Sequence, residues 1–211
     1  MLNKKDKANP HELTEDLIKE KAKILFFQKG FLNATTQEIA DKAGVNRALI
    51  HYYFRSREHM LDILLEEIVT LKKTRNRAIL SSDLPFREKI AAFVEAVLDH
   101  GMTYPYLDNF IISEIARNPE KMKLVCFRDK VRSSELIRDQ LNEEIAKGTI
   151  APISPEHFIV NLTSMCNYPL LAKNVLQLIH GMSDTAYRKF LLERKEVIVN
   201  ALFNEQALMK N

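Results

Sequence analysis

Apolar residues recur along this chain at spacings of three and four, and no segment sustains the strict alternation of a half-buried strand. Between 11 and 29 the pattern sets Ile18, Ala22, Leu25 and Phe26 on one helical face. Between 57 and 80 it does the same for Leu61, Leu64, Leu65, Ile68 and Leu71. Extended along the chain, the spacing predicts helices over 11–29, 36–43, 47–54, 57–80, 86–101, 105–117, 119–147, 155–180 and 184–208. The five glycines, at 30, 44, 101, 148 and 181, each follow such a stretch and are expected to end helices. Prolines 85, 105, 119 and 155 fall where new patterns begin, and Pro169 should kink or split the 155–180 segment. With no Asn-Gly or Asp-Gly turn, repeat or flexible linker, the expected fold is all-α.

Composition sharpens this picture. At 211 residues and 46% apolar content the chain can bury a substantial core. No run reaches the ~18 apolar residues of a membrane span and the first residues are polar, so a soluble, cytoplasmic protein without a membrane partner is expected. Cys126 and Cys166 stand singly among apolar residues and are read as buried thiols. The formal net charge is +3, and residues 1–60 carry all of it, with 11 Lys+Arg against 8 Asp+Glu. That asymmetry points to an anionic partner for the N-terminal part, nucleic acid above all.

The local sequence from 35 to 58 gives that partner a form. Thr35 followed by Glu38 matches a capping box opening a helix at 36. Ala40 is small enough for two helices to approach, Gly44 permits a tight turn, Asn46 can cap the next helix, and Ile39, Val45 and Ile50 can fill the space between them. From Lys42 to Arg57 no acidic residue occurs. These are the parts of a helix-turn-helix.

The segment "GFLNATTQEIADKAGVNRALIHYYFRSREHML" resembles the DNA-binding segment of the TetR family of bacterial transcription regulators, and the likeness spans 11–65. It implies an N-terminal three-helix domain, taken as 1–56, joined to a larger helical effector-binding and dimerisation domain over 57–211. It also implies a homodimer on a palindromic double-stranded DNA operator, released by a small-molecule effector. Carried over residue by residue, it puts Arg47, Ala48, His51 and Tyr52 toward the major groove with Gln37 able to reach a base edge. Thr36, Tyr53 and Arg57 are then expected at phosphates. Three positions depart from the usual pattern: Leu49 in place of a small or hydroxyl-bearing residue, His51 in place of tyrosine, and Arg57 in place of lysine.

In the remaining two thirds, Phe93, Val97, Met102, Tyr106, Phe110 and Phe127 are candidates to line an effector pocket, with Glu114 the polar member. Phe158, Leu162, Phe190, Leu191, Val197, Ile198 and Leu202 form an apolar stripe expected to pair across a two-fold axis. Catalysis is not expected: the chain has no Gly-x-Ser-x-Gly, P-loop, dinucleotide fingerprint or His-Glu-x-x-His, and its six histidines lack metal-ligand spacing, so no metal or cofactor is implied. A helical ligand-binding or interaction module without specific DNA binding, and an activator instead of a repressor, are the alternatives.

Overall fold

The computed structural model describes residues 10–120 and 132–203. Among them every regular element is helical: ten α-helices and one π-helical turn, with no strand. Contacts divide the chain into two compact units, Met1–Ile68 and Val69–Asn211.

The first unit holds α1 (Pro10–Lys23), which runs on as a π-helical turn over Ile24–Gln28, then α2 (Thr36–Ala43), α3 (Arg47–Phe54) and the first part of α4 (Arg57–Leu80). Its core joins Ile18, Ala22, Phe26 and Phe27 to Ile39, Ala40, Ile50, Phe54, Met60 and Leu64, all sealed from solvent. Lys19 bridges Glu15 and Glu67, both at 2.9 Å, and so ties α1 to α4.

In the second unit come α5 (Phe86–Thr103), α6 (Leu107–Arg117), α7 (Ser133–Ala146), α8 (Pro155–Leu171), α9 (Lys173–His180) and α10 (Asp184–Leu202). Helix α5 packs on α8 and α10, and α7 packs on α8. Phe86, Ile90, Phe93, Val94 and Val97 meet Ile137, Leu141, Phe158, Leu162, Cys166, Leu191 and Ile198 in one cluster. Cys166 is a buried free thiol, and burial pushes its pKa up to about 12. Cys126 lies outside the described residues.

Two features depart from the sequence pattern for identifiable reasons. Leu71 is 68% exposed, because past Ile68 the inward side of α4 is taken by Val69 and Leu80 together with polar groups. Lys72 meets Asp108 at 2.6 Å there and Arg75 donates to the Ala96 carbonyl. Gly101 ends no helix: it lies inside α5, where a β-carbon would overlap Leu170 of α8, so its role is close approach. The segment over 155–180 splits at Ala172, just after Pro169, as the proline leads one to expect. Proline removes the N–H that would reach Met165, and Arg194 of α10 donates to that freed carbonyl at 3.2 Å.

Candidate nucleic-acid interface

Local chemistry fixes α2 and α3 before any packing is considered. The Thr35 hydroxyl accepts from the Glu38 N–H at 3.2 Å, and the Glu38 carboxylate accepts from the Thr35 N–H at 2.7 Å. This closes the predicted capping box. The same Thr35 N–H holds the Glu38 carboxyl below its usual range. Gly44 adopts the left-handed conformation, with φ 66° and ψ 32°, which ends α2 and allows the chain to turn. Asn46 then caps α3 by accepting from the Ala48 N–H at 2.8 Å.

Helix α3 buries Ile50 and Phe54 against the first unit's core and leaves Arg47, Ala48, His51, Tyr52 and Arg55 exposed. At 100° per residue the first four fall within an arc of about 140°, and Arg55 follows at the helix's C-terminal end. The result is a cationic, aromatic strip with no carboxylate of its own. Leu49 and Tyr53 flank it half-buried.

The remaining predicted contacts are distributed around this strip. Arg47 donates through Nε to the Thr36 hydroxyl at 3.1 Å, which links the starts of α2 and α3. Gln37 is exposed and donates to Asp41 at 2.7 Å. Tyr52 projects into solvent, 68% exposed, with its ring edge-on to Tyr53 at 5.0 Å. The Tyr53 hydroxyl donates to the His11 carbonyl at 3.2 Å, which fastens α1 to the end of α3.

Arg57 points elsewhere. Its guanidinium donates to the carbonyls of Ala34, at 2.7 Å, and of Leu32, and it stands over the Phe26 ring. The cation expected at a phosphate is instead committed to the α1–α2 connection and the core beneath it. Two groups escaped the sequence reading. Arg55 extends the exposed strip by one turn from His51, a signal that its spacing could have supplied. The His11–Tyr53 link joins residues 42 apart and has no local signature.

The second unit holds a cavity of about 320 Å³ lined by Gly101, Met102, Pro105, Leu170, Tyr187 and Leu191, with Lys173, Asp184, Thr185 and Arg188. Of the residues expected to line a pocket, Met102 does so here. Phe93 and Val97 are buried in the core, and Tyr106, Phe110 and Glu114 lie along or just before α6, away from this lining. Phe127 lies outside the described residues. Of those expected at a subunit interface, Phe158, Leu162, Leu191 and Ile198 are enclosed by their own chain, and Phe190 and Leu202 lean on the same core. Among them Val197, 52% exposed, is the one fully open to a partner, and Phe190 and Leu202 are half-buried.

Residues 18–64 match the family described as bacterial regulatory proteins, tetR family. The chain belongs to the TetR family. It is 24% identical over 194 residues to the Probable HTH-type transcriptional regulator YttP of Bacillus subtilis (strain 168), covering 90% of this chain and 94% of that protein. YhgD, an HTH-type transcriptional regulator of the same organism, is 22% identical over 145 residues, covering 66% of this chain and 73% of its own. Among solved structures, the ketosteroid transcriptional regulator KstR2 of Mycobacterium tuberculosis superposes with a TM-score of 0.65 at 18% identity. It covers 92% of this chain and 96% of that one, and at this identity the likeness establishes the fold. The TetR family and these relatives are transcriptional regulators, not enzymes, and this TetR-family chain is a DNA-binding regulator. The matched stretch runs from Ile18 in α1 to Leu64 in α4, so the capping box, the Gly44 turn and the α3 strip all fall inside it.

Proposed function

We propose that this TetR-family regulator is a homodimeric repressor whose α2–α3 element binds a palindromic operator and which a small-molecule effector releases. The observation that carries the reading is the exposed, carboxylate-free strip of Arg47, Ala48, His51, Tyr52 and Arg55 on a capped helix. Cations on such a face neutralise phosphates and release counterions, while donors and acceptors on the same helix read base edges. Residues 1–56 take the DNA and residues 57–211 take the effector and the second subunit. The operator places the protein in the cytoplasm.

Within the strip, Arg47 suits guanine, to which its guanidinium can donate two hydrogen bonds. Ala48, His51 and Tyr52 complete the base-facing set, and Gln37 joins it once it exchanges Asp41 for adenine. Thr36 and Tyr53 take phosphates. Arg57 holds the Leu32–Ala34 connection in place.

Dimerisation is supported by apolar side chains that the protomer leaves uncovered on its C-terminal helices. These are Val160 and Tyr168 on α8, Val175, Leu178 and Ile179 on α9, and Leu192 and Val197 on α10. Large exposed apolar side chains on three successive helices are what a protein–protein contact would cover.

Selection of bound DNA from a random pool tests the reading. A palindrome with half-site centres about one helical turn, ~34 Å, or a multiple apart is expected, with affinity falling steeply as salt rises. Recovery of unrelated sequences with a flat salt response would overturn it.

A further inference from the structure

The floor of the 320 Å³ cavity is apolar and buried, formed by Gly101, Leu170 and Leu191 with the Tyr187 ring, while Met102 and Pro105 stand half-covered beside them. Its rim is exposed and charged: Asp184, Thr185 and Arg188 come from the first turns of α10 and Lys173 from the start of α9. The volume lies at the small end of the roughly 300–1,000 Å³ found for cavities that enclose organic ligands. An apolar pit with a polar collar fits a molecule that is greasy at one end and polar at the other.

The collar's charges are unequal. Asp184 is occupied twice, by Lys173 at 3.0 Å and by the Gln177 amide at 3.0 Å, and these partners hold its carboxyl below the usual range. Lys173 is also set against the Tyr187 ring, 5.6 Å from its centroid. The Tyr187 hydroxyl is turned away from this task, donating to the Pro169 carbonyl at 2.6 Å. Arg188 makes no ion pair among the described residues. One guanidinium is thus left over at the mouth.

We propose that this cavity binds a small carboxylate with an apolar body, its acid group on Arg188 and Lys173 and its body on Gly101, Met102, Leu170 and Leu191. A guanidinium presents a planar fork that a carboxylate meets with two parallel hydrogen bonds. A cationic ligand would confront Lys173 and Arg188, with Asp184, the carboxylate in the cavity lining, already engaged. A neutral ligand would cover Arg188 without giving it a partner, and an uncompensated cation is costly to desolvate. The inference names the chemistry of an effector site and rests on the effector reading only for its effect on DNA.

Titration calorimetry of the full chain with hexanoate, octanoate and benzoate, beside hexanol, octanol and benzyl alcohol, tests it without DNA. The acids should bind at least tenfold more tightly than the matching alcohols. Arg188→Gln should remove that advantage while leaving alcohol affinity and the ligand-free melting temperature unchanged. Arg188→Lys should restore part of it. Acids that do not bind, that bind no better than alcohols, or that bind equally to Arg188→Gln overturn the proposal. Adding the same acids to the operator complex is a separate measurement. Binding without release of DNA would reject the effector reading for this cavity while leaving its carboxylate chemistry established.

Discussion

The guanidinium of Arg57 lies 5.5 Å from the centroid of the Phe26 ring and donates to backbone carbonyls of the segment between α1 and α2. The first residue of α4 therefore holds the loop that leads into the capping box at Thr35.

Arg57→Ala should accordingly unfold the first unit more readily than it should weaken phosphate contact. Hydrogen bonds from a charged donor are worth roughly 1.5–3 kcal/mol and a partly covered cation–π contact about 1, so a loss of about 2–4 kcal/mol is expected. Arg57→Lys should recover less than half, since an ammonium lacks the planar fork that spans two carbonyls. Thermal melting gives the stability, and operator titration against salt gives the contact count. An unchanged melting temperature with a salt slope flattened by ~1 would return Arg57 to a phosphate.

Gly101→Ala sets two effects against each other. Replacing a mid-helix glycine ordinarily stabilises by up to about 1 kcal/mol through the unfolded chain. Here the new methyl meets Leu170, which is buried and fixed in α8, and overpacking typically costs about 1–3 kcal/mol. Net destabilisation is expected, relieved in part by Gly101→Ala combined with Leu170→Val. A stabilised Gly101→Ala protein would show that α8 gives way freely.

The contrast between Gly44 and Gly101 shows what the sequence could and could not disclose. Gly44 sits between two helical patterns, where its left-handed backbone follows from local turn chemistry. Gly101 owes its place to Leu170, 69 positions away, and resembles a helix end until the packing is known. The α2–α3 element was legible because caps, turn and core positions lie within one short window. Which residues of the apolar stripe meet a partner is not legible in the sequence, because helical spacing separates buried from exposed faces but not own core from partner, so Ile198 and Val197 read alike. The partners of Arg57 are hidden for a related reason: backbone carbonyls have no side-chain signature.

His100 makes stability depend on pH. Its Nε2 is buried without a hydrogen-bond partner, and the ring stands edge-on to Tyr104 at 5.4 Å. Burial first, then the Lys72 and Arg75 cations, push its pKa down from 6.5 to about 4, with Asp108 opposing. Between those values the unfolded chain binds the proton that the folded chain refuses, so stability falls as pH drops from 6.5 toward 4 and levels off below. The melting temperature should be lower at pH 5 than at pH 7, and the difference should shrink in His100→Gln. An equal difference in both proteins would assign the effect to other groups.

Val197→Glu tests the dimer at the one predicted interface residue that the protomer leaves open. Its exposure means that the charge costs the monomer little, whereas a carboxylate enclosed between two subunits would lack a partner. Sedimentation should shift from dimer to monomer with the melting profile of the second unit retained and operator affinity reduced. A variant that remains dimeric moves the interface away from Val197.

His51 carries the most specific expectation for sequence recognition. Its Nδ1 lies 2.7 Å from the Arg55 carbonyl oxygen, which can only accept, so Nδ1 holds a proton. The Arg55 N–H in turn donates to the His51 carbonyl at 3.0 Å, and Arg55 itself is held at φ 62°, the one positive value outside glycine among the described residues. Ring and helix end thus fix each other. In the neutral imidazole the exposed Nε2 is then an acceptor, which suits the amino groups of adenine N6 or cytosine N4 and not the acceptor edge of guanine. Sites selected by the wild type should favour adenine or cytosine at one position in each half-site. His51→Phe should erase that preference, at about 1–3 kcal/mol of discrimination, while affinity for sites already lacking those bases stays nearly constant. If His51→Phe weakens every sequence equally, the ring meets a phosphate and reads no base.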